Sequence, residues 1–279
     1  MNKKLVVAGR VSFALALIGL GIQQFIYPGF RPVFVPVWPM GWPNEKPLVY
    51  LLSAVLIFTG MAIILKIRAR EASLICGCLF LAMFAFIHVP FQMQENPGVL
   101  GAWTNAFKIL AFSGSAFIIA NSFNRIGKSG GVTNPSERLL PFGRFFFGLM
   151  LLVFGIDHFL YAQGVATLVP GWIPGSLFWT YFAGVALIGA GGSIIMKFQL
   201  RLVAVLTGIM IFIWFLILHI PRAIAMPDLL NGNEVTSVMQ ALAFSGVSFV
   251  LAFTDGEKRL VTKEELPNAV IGALEEVKR

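Results

Sequence analysis

Eight stretches of the chain run for about 20 residues with few or no charges, the length a helix needs to cross a hydrocarbon core about 30 Å thick. They lie near 9–27, 48–67, 72–89, 101–122, 143–161, 177–196, 200–220 and 236–254, and polar residues collect between them. The runs are continuous and do not alternate, which argues against the strands of an outer-membrane barrel. The pattern predicts an all-α integral membrane protein with eight transmembrane helices.

The order of these runs is written twice. Gly155-Ile-Asp-His-Phe-Leu-Tyr161, followed by Val169-Pro-Gly-Trp-Ile-Pro174, repeats Gly21-Ile-Gln-Gln-Phe-Ile-Tyr27 and Val35-Pro-Val-Trp38 from 134 positions earlier. Gly9-Arg10 matches Gly143-Arg144, and Tyr50 to Gly60 matches Tyr181 to Gly191. His88-Val-Pro90 matches His219-Ile-Pro221, and Ala111-Phe-Ser-Gly114 matches Ala243-Phe-Ser-Gly246. Self-similarity at a nearly fixed offset is the mark of a duplicated unit. The predicted organisation is a four-helix repeat over 8–122, a cytoplasmic linker over 123–141, a second four-helix repeat over 142–254 and a tail over 255–279. In the tail, Leu266, Val270, Ile271, Leu274 and Val277 would share one face of a short amphipathic helix. Each unit holds an even number of spans, so both enter the membrane in the same sense. The expectation is two parallel four-helix bundles lying side by side.

Composition sharpens this. Hydrophobic residues make up 57% of the chain and charged residues 12%, too few charges to clothe a water-soluble surface. The net charge of +8 comes from lysines and arginines gathered at alternate ends of the spans, with Arg31, Lys46 and Arg222 on the other side. That is a positive-inside pattern, placing both termini in the cytoplasm of a multi-pass protein in a bacterial-type inner membrane. No basic patch is arranged for nucleic acid. Cys76 and Cys78 read as small apolar residues more than as a redox pair. Glycines in the sixth span, and the Ser-Gly pairs at 113–114 and 245–246, read as close helix contacts. The Pro- and Trp-rich elbows after the first and fifth spans, with Trp38, Trp42 and Trp172, read as interfacial caps over the outer mouth.

Chemistry concentrates at one end. His88, His158 and His219 close the third, fifth and seventh spans, and Gln23, Gln24, Asp157 and Arg222 fall at similar depth. Singly, each histidine reads either as an interfacial residue bonded to a nearby carbonyl or as part of a site. As a layer they mark a ligand-binding site, because ionisable groups at membrane depth are costly. Asp157 and Arg222 are expected to pair, either locking the fifth and seventh spans together or serving chemistry beside His158. Lys108 is the deepest charge and reads as snorkelling outward or as pairing with Glu95 or a ligand carbonyl. Three histidines on three separate helices, with no local ligand spacing, give no metal site. No phosphate-cradling loop or nucleophile elbow occurs.

Gly-Arg opening a span, Gly-x-x-His-Phe closing it, Val-Pro-x-Trp-Ile-Pro in the elbow and His-Ile-Pro at the end of the third span together resemble the DoxX and DoxX-like membrane proteins. The resemblance covers 8–254 and is closest in the second half, at Arg144, Gly155, His158, Pro170, Trp172, His219 and Pro221; Gln24 stands where the first half would carry the histidine. It implies a four-helix membrane unit and a link to quinone-coupled redox work, the family's namesake being a subunit of a thiosulfate:quinone oxidoreductase. A quinone or similar small amphipathic ligand would then be held by His158, His219, Asp157, Arg222, Lys108 or His88 and would pack on Trp172. Any enzyme role would be that of a membrane subunit without its own redox centre, beside a redox partner subunit. The competing expectation is a non-enzymatic membrane scaffold or a carrier for a small solute.

Overall fold

A computed structural model describes residues 3–37, 45–123 and 135–254. Trp38, Trp42, most of the linker and the amphipathic tail lie outside the described residues. Lipid offers the backbone no hydrogen bonds, so each apolar run must satisfy its own amides as helix. Eight helical segments are long and apolar enough to cross a membrane: Lys3–Ile26, Lys46–Leu65, Ala69–Glu95, Leu100–Ser122, Ser136–Leu160, Ser176–Met196, Leu200–Ala225 and Asn233–Thr254. The protein is an all-α, multi-pass integral membrane protein.

The helices are α1 (Lys3–Ile26), α2 (Lys46–Leu65), α3 (Ala69–Met83), α4 (Val89–Glu95), α5 (Thr104–Ser122), α6 (Gly143–Leu160), α7 (Ala162–Ala166), α8 (Ser176–Met196), α9 (Leu200–Trp214), α10 (Ile220–Ala225) and α11 (Asn233–Thr254). Two of the spans are composite. Between α3 and α4 the helix widens into a π turn at Phe84–His88, and between α9 and α10 it does the same at Phe215–His219. The cause lies just downstream. Pro90 and Pro221 carry no N–H and crowd the preceding turn. In the widened turn the Val89 and Ile220 amides reach back to the Phe84 and Phe215 carbonyls. The helices therefore continue to Glu95 and Ala225 past prolines that the sequence marks as their ends.

Packing departs from two separate bundles. The main helix pairs are α1 with α2, α3 with α5, α6 with α8 and α9 with α11, and across the halves α1 with α11 and α5 with α6. Helices α5 and α11 also touch each other. Each half is thus closed by the last helix of the other, and the spans that contain α5 and α11 are the most enclosed, 67% buried against 22–44% elsewhere. Glycine makes both cross-half contacts possible. A methyl group on Gly246 would stand 2.7 Å from the Gly9 carbonyl oxygen, and one on Gly143 would stand 2.7 Å from that of Gly114. In lipid such close approach replaces the hydrophobic effect as the source of helix attraction.

At the end opposite the histidines, arginines hold helix C-termini, whose last carbonyls lack partners within the helix. Arg10 donates to the Ser122 hydroxyl at 2.8 Å and to its carbonyl. Arg70 donates to the Ala120 and Phe123 carbonyls at 3.0 and 3.2 Å, and Arg144 donates to the Ile194 and Ile195 carbonyls. Cys76 is buried, and both cysteines are free thiols.

Candidate functional site

The two elbows behave differently, and this shapes the histidine-bearing end. After α1 the chain turns inward, burying Val33, Phe34 and Val35. Arg31, also buried, fixes the turn by donating to the Tyr27, Gly29 and Asn231 carbonyls. The Phe34 ring stacks on Phe80 at 5.8 Å and tilts against Phe112 at 6.3 Å. Its carbonyl accepts a hydrogen bond of 3.0 Å from Nε2 of His88, which is fully buried. The elbow after α6 stays outside: Leu168 is 38% exposed and Trp172 74%. Trp172 therefore does not join the other candidates, and the expected packing of a ligand on its ring is not what the structure offers.

Around the seventh span, side chains from α5, α6, α10 and α11 bring polar groups together. Arg222 on α10 donates from Nε and Nη2 to the two carboxylate oxygens of Glu234 on α11, at 3.0 and 2.9 Å. This corrects the expected pairing of Arg222 with Asp157. Glu234, in the first turn of α11, presents both oxygens to the planar guanidinium, a geometry that favours a bidentate bond. Asp157 is buried beside Thr104, with Oδ1 lacking a hydrogen-bond partner. His219 ends the second π turn within electrostatic reach of Lys108, Arg222 and Glu234, and its Nδ1 is buried without a partner. Lys108 on α5 does not pair with Glu95. Its ammonium lies 5.7 Å from the centre of the Phe154 ring, in the field of Glu234. His158 donates from Nδ1 to the Phe154 carbonyl at 2.7 Å and stacks on Trp214 at 6.4 Å, which leaves Nε2 for another partner.

Of the sequence candidates, Lys108, His219 and Arg222 come together around Glu234, His158 borders them through Phe154 and Trp214, Asp157 lies beside Thr104, and His88 belongs to the other half. Glu234, Trp214 and Phe34 were not singled out by the sequence. The signal for Glu234 was an acid in the first turn of a span at the depth of Arg222. Chemically the group offers an ammonium, two imidazoles and a charge-balanced guanidinium–carboxylate pair, and two of its members, His219 and Arg222, lie on the span that the rest of the protein covers least. π turns often occur at functional sites. A cavity of about 380 Å³ also lies at this end, but beside the first elbow, between Tyr27, Arg31, Glu45 and Asn231. Among the described residues no group of three or more His, Cys, Asp or Glu side chains is placed to hold a metal ion.

Comparison with protein-family models, with curated proteins and with solved structures gave no match.

Proposed function

We propose that this is a DoxX-like protein of a bacterial-type inner membrane, a tandem duplication of a four-helix unit with both termini in the cytoplasm. Its second half holds a quinone or similar amphipathic ligand at the outer face, on behalf of a redox partner subunit. Support for the duplication comes from features that recur at the register of the sequence repeat. They are the two π turns ending in histidine, the Gly9–Gly246 and Gly143–Gly114 crossings, and the left-handed turns at Lys66 and Arg68 and at Lys197 and Gln199.

The observation that carries the ligand reading is the approach of Lys108 to His219 on the least covered span, with His158 beside Trp214 of the same span, next to an Arg222–Glu234 pair that already neutralises itself. Hydrogen-bond donors beside a sparsely covered apolar span suit a head group with acceptor oxygens and a tail that stays in the bilayer. In this reading the protein's part is to bind and orient the ligand for the redox partner subunit. Extraction of the purified protein followed by mass spectrometry tests this. About one quinone per chain is expected in the wild type and much less in His219→Ala and Lys108→Met. A wild-type protein free of quinone, which also fails to take it up from quinone-loaded vesicles, overturns the reading.

A further inference from the structure

The first half contains what the second half lacks. There a π-turn histidine, His88, gives its Nε2 hydrogen to a carbonyl, and the residue supplying that carbonyl, Phe34, also supplies an aromatic ring seated on Phe80 and Phe112. Ring and carbonyl arrive together, as one fragment. At the repeat register the second half keeps the π-turn histidine as His219 and matches Phe112 with Phe244. Where Phe34 would be, it has Leu168, on an elbow that never turns in. His88 is fully buried by the fragment, while His219 is partly exposed and makes no hydrogen bond to the described residues.

Building on the ligand reading above, we propose that the second half binds a planar ring bearing a carbonyl oxygen, that this oxygen accepts a hydrogen bond from Nε2 of His219, and that Phe34 is the chain's own stand-in for such a ligand in the first half. The first half is consequently self-occupied, and the protein takes one ligand, not two. Arg222 has given two of its donors to Glu234, which leaves the His219 imidazole and the Lys108 ammonium as the donors for a ligand here. Lys108, whose ammonium has no oxygen partner among the described residues, is the donor for a second oxygen on the same ring. This points to a dicarbonyl ring, the chemistry of a quinone head group.

The test uses the full chain in lipid nanodiscs, with a short-tailed benzoquinone labelled with ¹³C at its carbonyls. Infrared difference spectra should show both carbonyl stretches of the bound quinone lowered from their position in protein-free nanodiscs, at one quinone per chain. His219→Leu should weaken binding roughly tenfold, the order of one lost hydrogen bond to a partly desolvated donor, and should return one of the two lowered carbonyl stretches to its free position while the one held by Lys108 stays lowered. His219→Gln, which keeps an N–H, should retain most of the binding and of both shifts. Quinone that binds with unshifted stretches, or whose two stretches both stay lowered in His219→Leu, overturns this inference and leaves the broader ligand reading standing. Should His219→Leu fail to fold, the wild type decides alone: two lowered carbonyl stretches support the inference, and one or none overturns it. Wild-type protein that binds no quinone overturns both.

Discussion

Replacing Glu234 with glutamine is expected to cost the fold about 2 kcal/mol. The Arg222–Glu234 pair joins α10 to α11 through hydrogen bonds of 3.0 and 2.9 Å, with side chains 25% and 10% exposed. Exposed ion pairs contribute about 0–1 kcal/mol, and removing one member of a buried pair costs about 3–5 kcal/mol. This pair stands between those limits, and glutamine keeps the shape and one acceptor while stranding the arginine charge. A double-mutant cycle isolates the coupling: Arg222→Gln, Glu234→Gln and the double variant, each unfolded at equilibrium in mixed micelles and followed by tryptophan fluorescence. Coupling of at least about 1 kcal/mol is expected. Because the pair is half sequestered, raising salt from about 0.1 to 1 M should reduce that coupling by less than half. Coupling below about 0.5 kcal/mol, or coupling erased by salt, would refute the view that this pair is a desolvated link between the two helices.

Three further expectations follow from the packing. Phe34→Ala removes a fully buried ring that stacks on Phe80 and should destabilise the protein by about 3–5 kcal/mol. A shift in its unfolding midpoint no larger than that of an exposed Phe86→Ala control would show that the first elbow is not inserted. Gly246→Val places a branched side chain against the Gly9 carbonyl and should cost at least about 1–3 kcal/mol, whereas Gly189→Val, with open space around it, should be close to neutral in the same melt. Tyr27 donates to the Asp228 carboxylate at 2.5 Å, and chiefly this bond raises the phenol's pKa above its ordinary 10.0. The folded state therefore holds the proton more tightly than the unfolded chain. The contribution to stability is fully present below about pH 10 and fades as pH rises through the folded value. Ultraviolet difference titration should show a phenolate transition above pH 10 that disappears in Tyr27→Phe, and its presence unchanged in that variant would count against the contact.

The spans were legible because an apolar run of bilayer length has few other ways to satisfy its backbone, and the eight predicted runs overlap the eight long helices throughout. Their ends were less so. His88-Val-Pro90 and His219-Ile-Pro221 look like stops, since proline ordinarily breaks the ladder, yet one widened turn absorbs each proline and carries the helix on to Glu95 and Ala225. The rare polar residues of the candidate site stood out for the same reason that they are costly in lipid. Their pairing did not. Whether Arg222 meets Asp157 or Glu234 depends on which helices are neighbours, and the placing of α11 between α9 and α1 is a fact of packing that no local pattern states. Phe34 was hidden differently: an aromatic residue in a proline-rich elbow reads as interfacial, and only the inward turn fixed by Arg31 makes it part of the core.

The exchange of closing helices across the two halves bears on how the protein is made. One of the two main neighbours of α1, α11, is synthesised more than two hundred residues after it. Until then the Gly9 strip faces lipid or an insertion chaperone. Translation arrested before residue 233 should therefore leave a nascent chain that is inserted but cannot mature, and an insertion factor that shields that strip would set the yield.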